Sequence, residues 1–179
     1  MESLRGHLLV AAPTLVDPNF ARAVVLIAEH TADGAMGVVL NRPAEATVGE
    51  VVPDLSSLLD EDQIIFTGGP VQTGGVMVLA EFEDPRDAAL PVDGDLGFVA
   101  LESDMVEISA GRARAFAGHA GWGAGQLDAE LAEEAWFVAP FDREDVFTDA
   151  PEELWSRSLE RKGGAYALVA RMPEDPSLN

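Results

Sequence analysis

Residues 22–28 (RAVVLIA), the polar link Glu29-His30-Thr31-Ala32-Asp33-Gly34, residues 35–40 (AMGVVL) and the closing Asn41-Arg42-Pro43 form the stretch from which the fold is read. Two short runs rich in Val, Ile and Leu, joined through Asp33-Gly34, predict a buried β-hairpin, with that dipeptide supplying positive φ at low steric cost. Its rims are polar. Glu29 and His30 close the first strand, Asn41 and Arg42 the second, and Pro43, with no N–H to donate, is expected to end the ladder. Polar groups at the ends of buried strands are candidate site residues, so Glu29, His30, Asn41 and Arg42 are carried forward.

Outward from the hairpin, His7-Leu8-Leu9-Val10-Ala11-Ala12 reads as a strand stopped by Pro13, and Asp17-Pro18-Asn19-Phe20 as a chain reversal. Thr47 is placed to cap a short helix through Val48, Val51 and Val52, stopped by Pro53, with further helical turn around Leu55, Leu58 and Leu59. Residues 64–67 (IIFT) predict a strand entering a tight corner at Gly68-Gly69-Pro70. Strands follow at residues 76–82 and 96–101, separated by an acidic loop over 83–95. Ser103 or Asp104 is placed to cap a helix to Ala110, with Gly111 as its stop.

Residues 112–116 read as a half-exposed strand that runs into a glycine-rich loop, Gly118-His119-Ala120-Gly121-Trp122-Gly123-Ala124-Gly125, ahead of a helix starting at Gln126. Backbone N–H groups at such a helix start can hold an anion. The glycine spacing matches neither the dinucleotide fingerprint nor a P-loop, so a tight corner packing Trp122 into the core is the plainer reading. Residues 136–139 predict a strand. The last helix has Asp149 near its cap, Pro151 in its first turn, Arg161 and Lys162 at its end, and Gly163-Gly164 beyond. Residues 165–170 (AYALVA) are expected as a final strand, with a frayed tail from Met172.

Composition bounds the function. The 179 residues carry a net charge of −21 and 47% hydrophobic content, which suits one domain with a sizeable core. Arg5, Arg22 and Arg42 nearly balance the acids of residues 1–43, whereas Arg86 stands alone against the many acids of residues 44–110. So acidic a chain is not expected to bind nucleic acid directly. The absence of cysteine excludes disulfides and thiolate-ligated zinc, and suits the reducing cytoplasm. The apolar run of residues 8–12 is too short for a signal peptide or a membrane span, so no membrane association is expected. His7, His30 and His119 lack metal-ligand spacing. No G-x-S-x-G elbow is present, and no metal, cofactor or catalytic residue is expected.

Taken in order, Gly6–Ala11, Asp17-Pro18-Asn19-Phe20, Glu29-His30, Gly34–Pro43, Gly68-Gly69-Pro70-Val71, and Ala120-Gly121-Trp122 with Gly125-Gln126-Leu127 and Glu130 resemble the YqgE/AlgH family of bacterial proteins. The resemblance spans most of the chain. It implies an α+β fold, a bifurcated mixed sheet with a small barrel-like core flanked by helices, in a family without an established biochemical activity; some members bear a transcriptional-regulator label. This chain departs from the usual pattern at His119, where the family has Tyr, and at Ala80, where His is common. Two readings follow. One is a non-enzymatic cytosolic regulatory or binding protein acting through protein contacts. The alternative is an enzyme or small-ligand binder on a polar rim of Glu29, His30, Asn41, Arg42, Gly68, Gly69, Trp122 and Gln126, expected to meet in one region. The partner and the oligomeric state stay open.

Overall fold

The structure is a computed structural model and describes residues 2–101 and 110–174. Its centre is the expected hairpin, β2 (Val24–Thr31) and β3 (Gly34–Val39), with β1 (Leu8–Ala11) antiparallel on the outer edge of β2. The turn differs by one residue. Ala32 and Asp33 form the two-residue loop, and Gly34 is already the first residue of β3, paired with Thr31. Gly34 has φ +143°, and a Cβ there would lie 2.3 Å from the Trp122 carbonyl oxygen, so the neighbouring strand also demands glycine.

Both faces of β1 and β2 are covered, which is why they read as unbroken apolar runs. Leu8, Val10, Val24 and Leu26 pack on one side with Leu154, Trp155 and Leu159 of α3 (Leu154–Lys162). Leu9, Ala11, Val25 and Ile27 pack on the other with Trp122, Leu127 of α2 (Gln126–Ala132) and Trp136 of β10 (Trp136–Ala139). Each fully buried aliphatic side chain contributes about 1.5–3 kcal/mol. β10 pairs with β1 and ends the sheet on that side.

The long strand β9 (Ala110–Gly123) organises the other half. Its C-terminal part pairs antiparallel with β3, from Gly34↔Gly123 to Gly37↔Ala120. Three residues further back along the same edge, β5 (Ile64–Thr67) takes over in parallel, with Thr67↔Ala117 and Phe66↔Phe116. β6 (Val71–Phe82) pairs along the opposite edge and leads to β8 (Leu96–Phe98) and β7 (Leu90–Asp93). The sheet is therefore mixed and forks at β9. It runs open from β10 to β7, and no pairing among the described residues closes it into a barrel.

Several local expectations change. Pro43 does not end the ladder but opens the exposed strand β4 (Pro43–Thr47), which pairs with β5; proline is tolerated as a first residue of such a strand. Thr47 caps α1 (Val48–Val51) through a full capping box with Glu50. The acidic loop contains β7, and the strand from Leu96 stops at Phe98. The glycine stretch after Phe116 is strand up to Gly123, and Gly118 within it admits the backbone of Gly69 and Val71. Residues 165–170 form α4 (Tyr166–Val169) and not a strand. The edge they would have joined is occupied, because Lys162 Nζ donates to the Val138 carbonyl of β10, and Tyr166 packs edge-to-face on Phe137. The last helix opens, as expected, beside Asp149: Ala150 is the cap position and Pro151 starts a 3-10 turn at Pro151–Glu153. The helix expected from Ser103 lies mostly outside the described residues, and Ala110 and Gly111 belong to β9.

Candidate functional site

The hairpin itself separates the rim residues. Because β2 and β3 are antiparallel, His30 pairs with Ala35 beside the turn, while Asn41 follows β3 at the opposite end, near Val24. The five residue steps from Val25 to His30 span roughly 17 Å at about 3.4 Å per residue. Glu29-His30 and Asn41-Arg42 do not meet, and Gly68-Gly69 sit at a third place, the fork.

At the turn end, His30, Ala35 and Trp122 lie in one row across β2, β3 and β9. His30 is buried, and its Nδ1 accepts from the Leu4 backbone N–H at 3.1 Å, with Nε2 3.8 Å from the Asp128 carboxylate on α2. Trp122 Nε1 and Trp136 Nε1 both donate to Glu130 Oε2, at 2.8 and 3.0 Å, and Gln126 Nε2 donates to Glu130 Oε1 at 3.2 Å. Gln126 Oε1 accepts from the Gly123 N–H at 3.0 Å, and Phe20 stacks on the Trp122 indole and meets the Trp136 indole edge-to-face. One carboxylate thus anchors α2 to two strands. These polar groups satisfy one another, which is the structural use of such side chains. Glu29 is exposed beside a small cleft of about 240 Å³.

At the fork, Gly68 donates its N–H to the Ala117 carbonyl and accepts from the Val39 N–H, both at 2.8 Å, so it stitches the departing end of β3 to β9. A Cβ at Gly68 would lie 2.3 Å from the Gly118 oxygen, and one at Gly69 2.2 Å from His119 backbone. These two glycines permit a backbone crossing and carry no exposed chemistry.

The Asn41 end holds the larger cleft, about 590 Å³, lined by Arg22, Asn41, Arg42, Thr67, Glu152 and Trp155 among others. Arg22 has φ +56°, a left-handed conformation that costs a non-glycine residue about 1–2 kcal/mol. Asn41 holds it: Nδ2 donates to the Arg22 carbonyl at 2.8 Å and Oδ1 accepts from the Val24 N–H at 3.0 Å. Arg42 donates to the Pro18 and Ala21 carbonyls, each at 2.7 Å, tying down the chain reversal. Burial pulls the Arg42 guanidinium below its ordinary value, while Asp17 pulls it back; it stays a cation at neutral pH. The Arg22 guanidinium lies 4.1 Å over the Trp155 ring and donates to the Met172 carbonyl. Trp155 is itself fixed by donating Nε1 to the Ala11 carbonyl at 2.9 Å.

Sequence reasoning selected Asn41 and Arg42 but missed Arg22, Thr67, Glu152 and Trp155. Left-handed backbone at an arginine has no residue signature, and Trp155 reads only as the apolar face of a helix. Among the described residues, no three His, Asp or Glu side chains are grouped to hold a metal ion.

A forked, mostly antiparallel sheet flanked by short helices, with a cleft at one hairpin end, defines the structural class. The AlgH-like family model matches residues 8–167, and the chain belongs to that family. It is 45% identical over 187 residues to a UPF0301 protein of Streptomyces coelicolor, covering 100% of this chain and 97% of that relative. A UPF0301 protein of Thermobifida fusca is 44% identical over 191 residues, covering 99% and 96%. The crystal structure of a Corynebacterium diphtheriae protein is similar with TM-score 0.83 and 30% identity, covering 95% of this chain and 93% of that one. The solution structure of the AlgH protein from Pseudomonas aeruginosa gives TM-score 0.74 and 33% identity, covering 96% and 95%.

Proposed function

We propose that this chain is a non-catalytic binding protein that acts through protein contacts, with the cleft beside Arg22 and Trp155 as its docking surface. The observation that carries the reading is the state of the polar residues. His30, Asn41, Arg42, Gln126 and Glu130 are spent on backbone and on one another, whereas Arg22, half-buried and in the left-handed region, lies over the Trp155 indole beside the 590 Å³ cleft with its guanidinium on the Met172 carbonyl. Strain persists where the surroundings over-determine it, and it collects at binding surfaces. A guanidinium paired with an aromatic face is a frequent anchor of protein interfaces. The cysteine-free sequence suits action in the reducing cytoplasm, and no described helix is long and apolar enough to cross a membrane.

The test is a native-lysate pull-down with wild-type chain and with Arg22→Gly, a change that removes the guanidinium and relaxes the backbone. A stoichiometric partner retained by the wild type and lost by the variant is expected. Failure to recover any partner, or equal recovery by both, would remove the reading.

A further inference from the structure

We infer that the segment received by this cleft is an extended acidic peptide with an apolar residue ahead of its carboxylate, and that residues 172–174 are the chain's own copy of it. The inference rests on the binding reading above. Two cavities adjoin at the tail: the 590 Å³ cleft, and a second of about 400 Å³ lined by Pro13, Leu15, Val16, Arg22 and Met172. Both share Ala21, Arg22 and Glu174 as walls, so the tail divides one groove that becomes continuous when it leaves.

The groove has two chemistries in sequence. Its outer part is apolar and uncovered, with Val16 78% exposed and Met172 46% exposed. Its inner part holds Arg22, Arg42 and Glu152; Arg42 donates to the Pro18 and Ala21 carbonyls and Arg22 to the Met172 carbonyl, and no ion pair engages either arginine among the described residues. Met172-Pro173-Glu174 runs in the same order: a thioether at the apolar wall, a proline that fixes φ and removes a donor, and Glu174, which lines the cleft of Arg22 and Arg42 without an ion pair to either. Between them Arg22 takes the Met172 main-chain carbonyl, a contact any extended peptide can supply. Recognition of acidic segments by arginine is a recurring mode. A tail tethered to its own groove competes at an effective concentration on the order of millimolar, so a partner must displace it.

The experiment uses the free peptide Met-Pro-Glu-Asp-Pro-Ser-Leu-Asn, the chain's last eight residues, followed by Trp155 fluorescence and by NMR of the protein. The receptors are the intact chain, a chain ending at Arg171, and a full-length chain with Met172→Ser and Glu174→Lys, each first verified as folded by its thermal melt. Expected is saturable binding to the truncated and doubly substituted chains, at least about tenfold weaker binding to the intact chain, and loss of binding when the peptide's Met becomes Ser or its first Glu becomes Lys. No binding to either opened receptor overturns the inference, as does equal binding to all three or indifference to the peptide changes. The pull-down with Arg22→Gly stands or falls separately, since a partner of other chemistry would still be captured there.

Discussion

Asn41 holds Arg22 as a second backbone would: its side-chain amide donates to the Arg22 carbonyl at 2.8 Å while its oxygen takes the Val24 N–H at 3.0 Å. The ladder between β2 and β3 is thereby extended past the last residue of β3. Among the described residues the part-buried Arg22 carbonyl and Val24 N–H are taken by the Asn41 side chain, so Asn41→Ala removes both hydrogen bonds. We expect destabilisation of about 1–3 kcal/mol, read as a melting point lower by about 2–4 °C per kcal/mol. Asn41→Asp, which keeps the acceptor and loses the donor, should fall between the two in the same melts.

Acid should weaken the fold through Glu81. Its carboxylate accepts from Arg112 Nε at 2.7 Å and Arg143 Nη1 at 3.0 Å, joining β6 to β9 and to the turn after β10. The Arg112 hydrogen bond holds it below the ordinary carboxylate range, burial opposes this, and Arg143 adds to the depression. The folded value lies below the unfolded one, so the stabilisation is complete above the ordinary carboxylate range, begins to fall within it and is fully lost only as pH drops through the lower folded value. Glu81→Gln should lower the melting point at about pH 7 and reduce the drop between about pH 7 and about pH 4. An unchanged pH profile in the variant would count against this.

Where the physics is local, the sequence was readable. The apolar runs around Val25 and Val38, the cap at Thr47, and the prolines at 53 and 151 all act through their immediate neighbours. Gly118 misled because glycine serves a turn and a crowded strand equally, and only the passage of Gly69, Val71 and Thr73 beside β9 distinguishes them. Residues 165–170 misled for a related reason: a short apolar run fits a strand or a helix, and Lys162 on the β10 edge decides between them. The rim expectation failed on geometry, since Glu29 and Asn41 lie at opposite ends of an antiparallel pair. Arg22 was invisible because its role depends on Asn41, Trp155 and Met172, all distant in sequence.

Duplex DNA should bind poorly. Counterion release needs several clustered cations free to meet phosphate. Arg86, Arg112, Arg143 and Arg161 are each engaged by carboxylates, Arg161 by both oxygens of Asp145, and the whole chain carries −21. An anisotropy titration at physiological salt with random-sequence duplex should give no submicromolar binding. Tight, sequence-selective association would contradict the electrostatic argument.

The fork makes the sharpest demand on a single residue. Gly68 joins β3 to β9 through two backbone hydrogen bonds, and a methyl group there would lie 2.3 Å from the Gly118 oxygen and 3.1 Å from Phe116 Cβ. Neither neighbour can move alone, because Phe116 is fully buried and Gly118 is held in the left-handed region at φ +74°. Gly68→Ala should therefore cost about 3 kcal/mol or more, or prevent folding, the result of forcing backbone apart in a packed sheet. Gly74, on β6, provides the control: a Cβ there meets nothing within 4 Å. Gly74→Ala should change stability by no more than about 0.5 kcal/mol. Urea melts of the two variants beside wild type make the comparison, and similar midpoints for both would mean that the crossing at Gly68 does not hold the two halves of the sheet together.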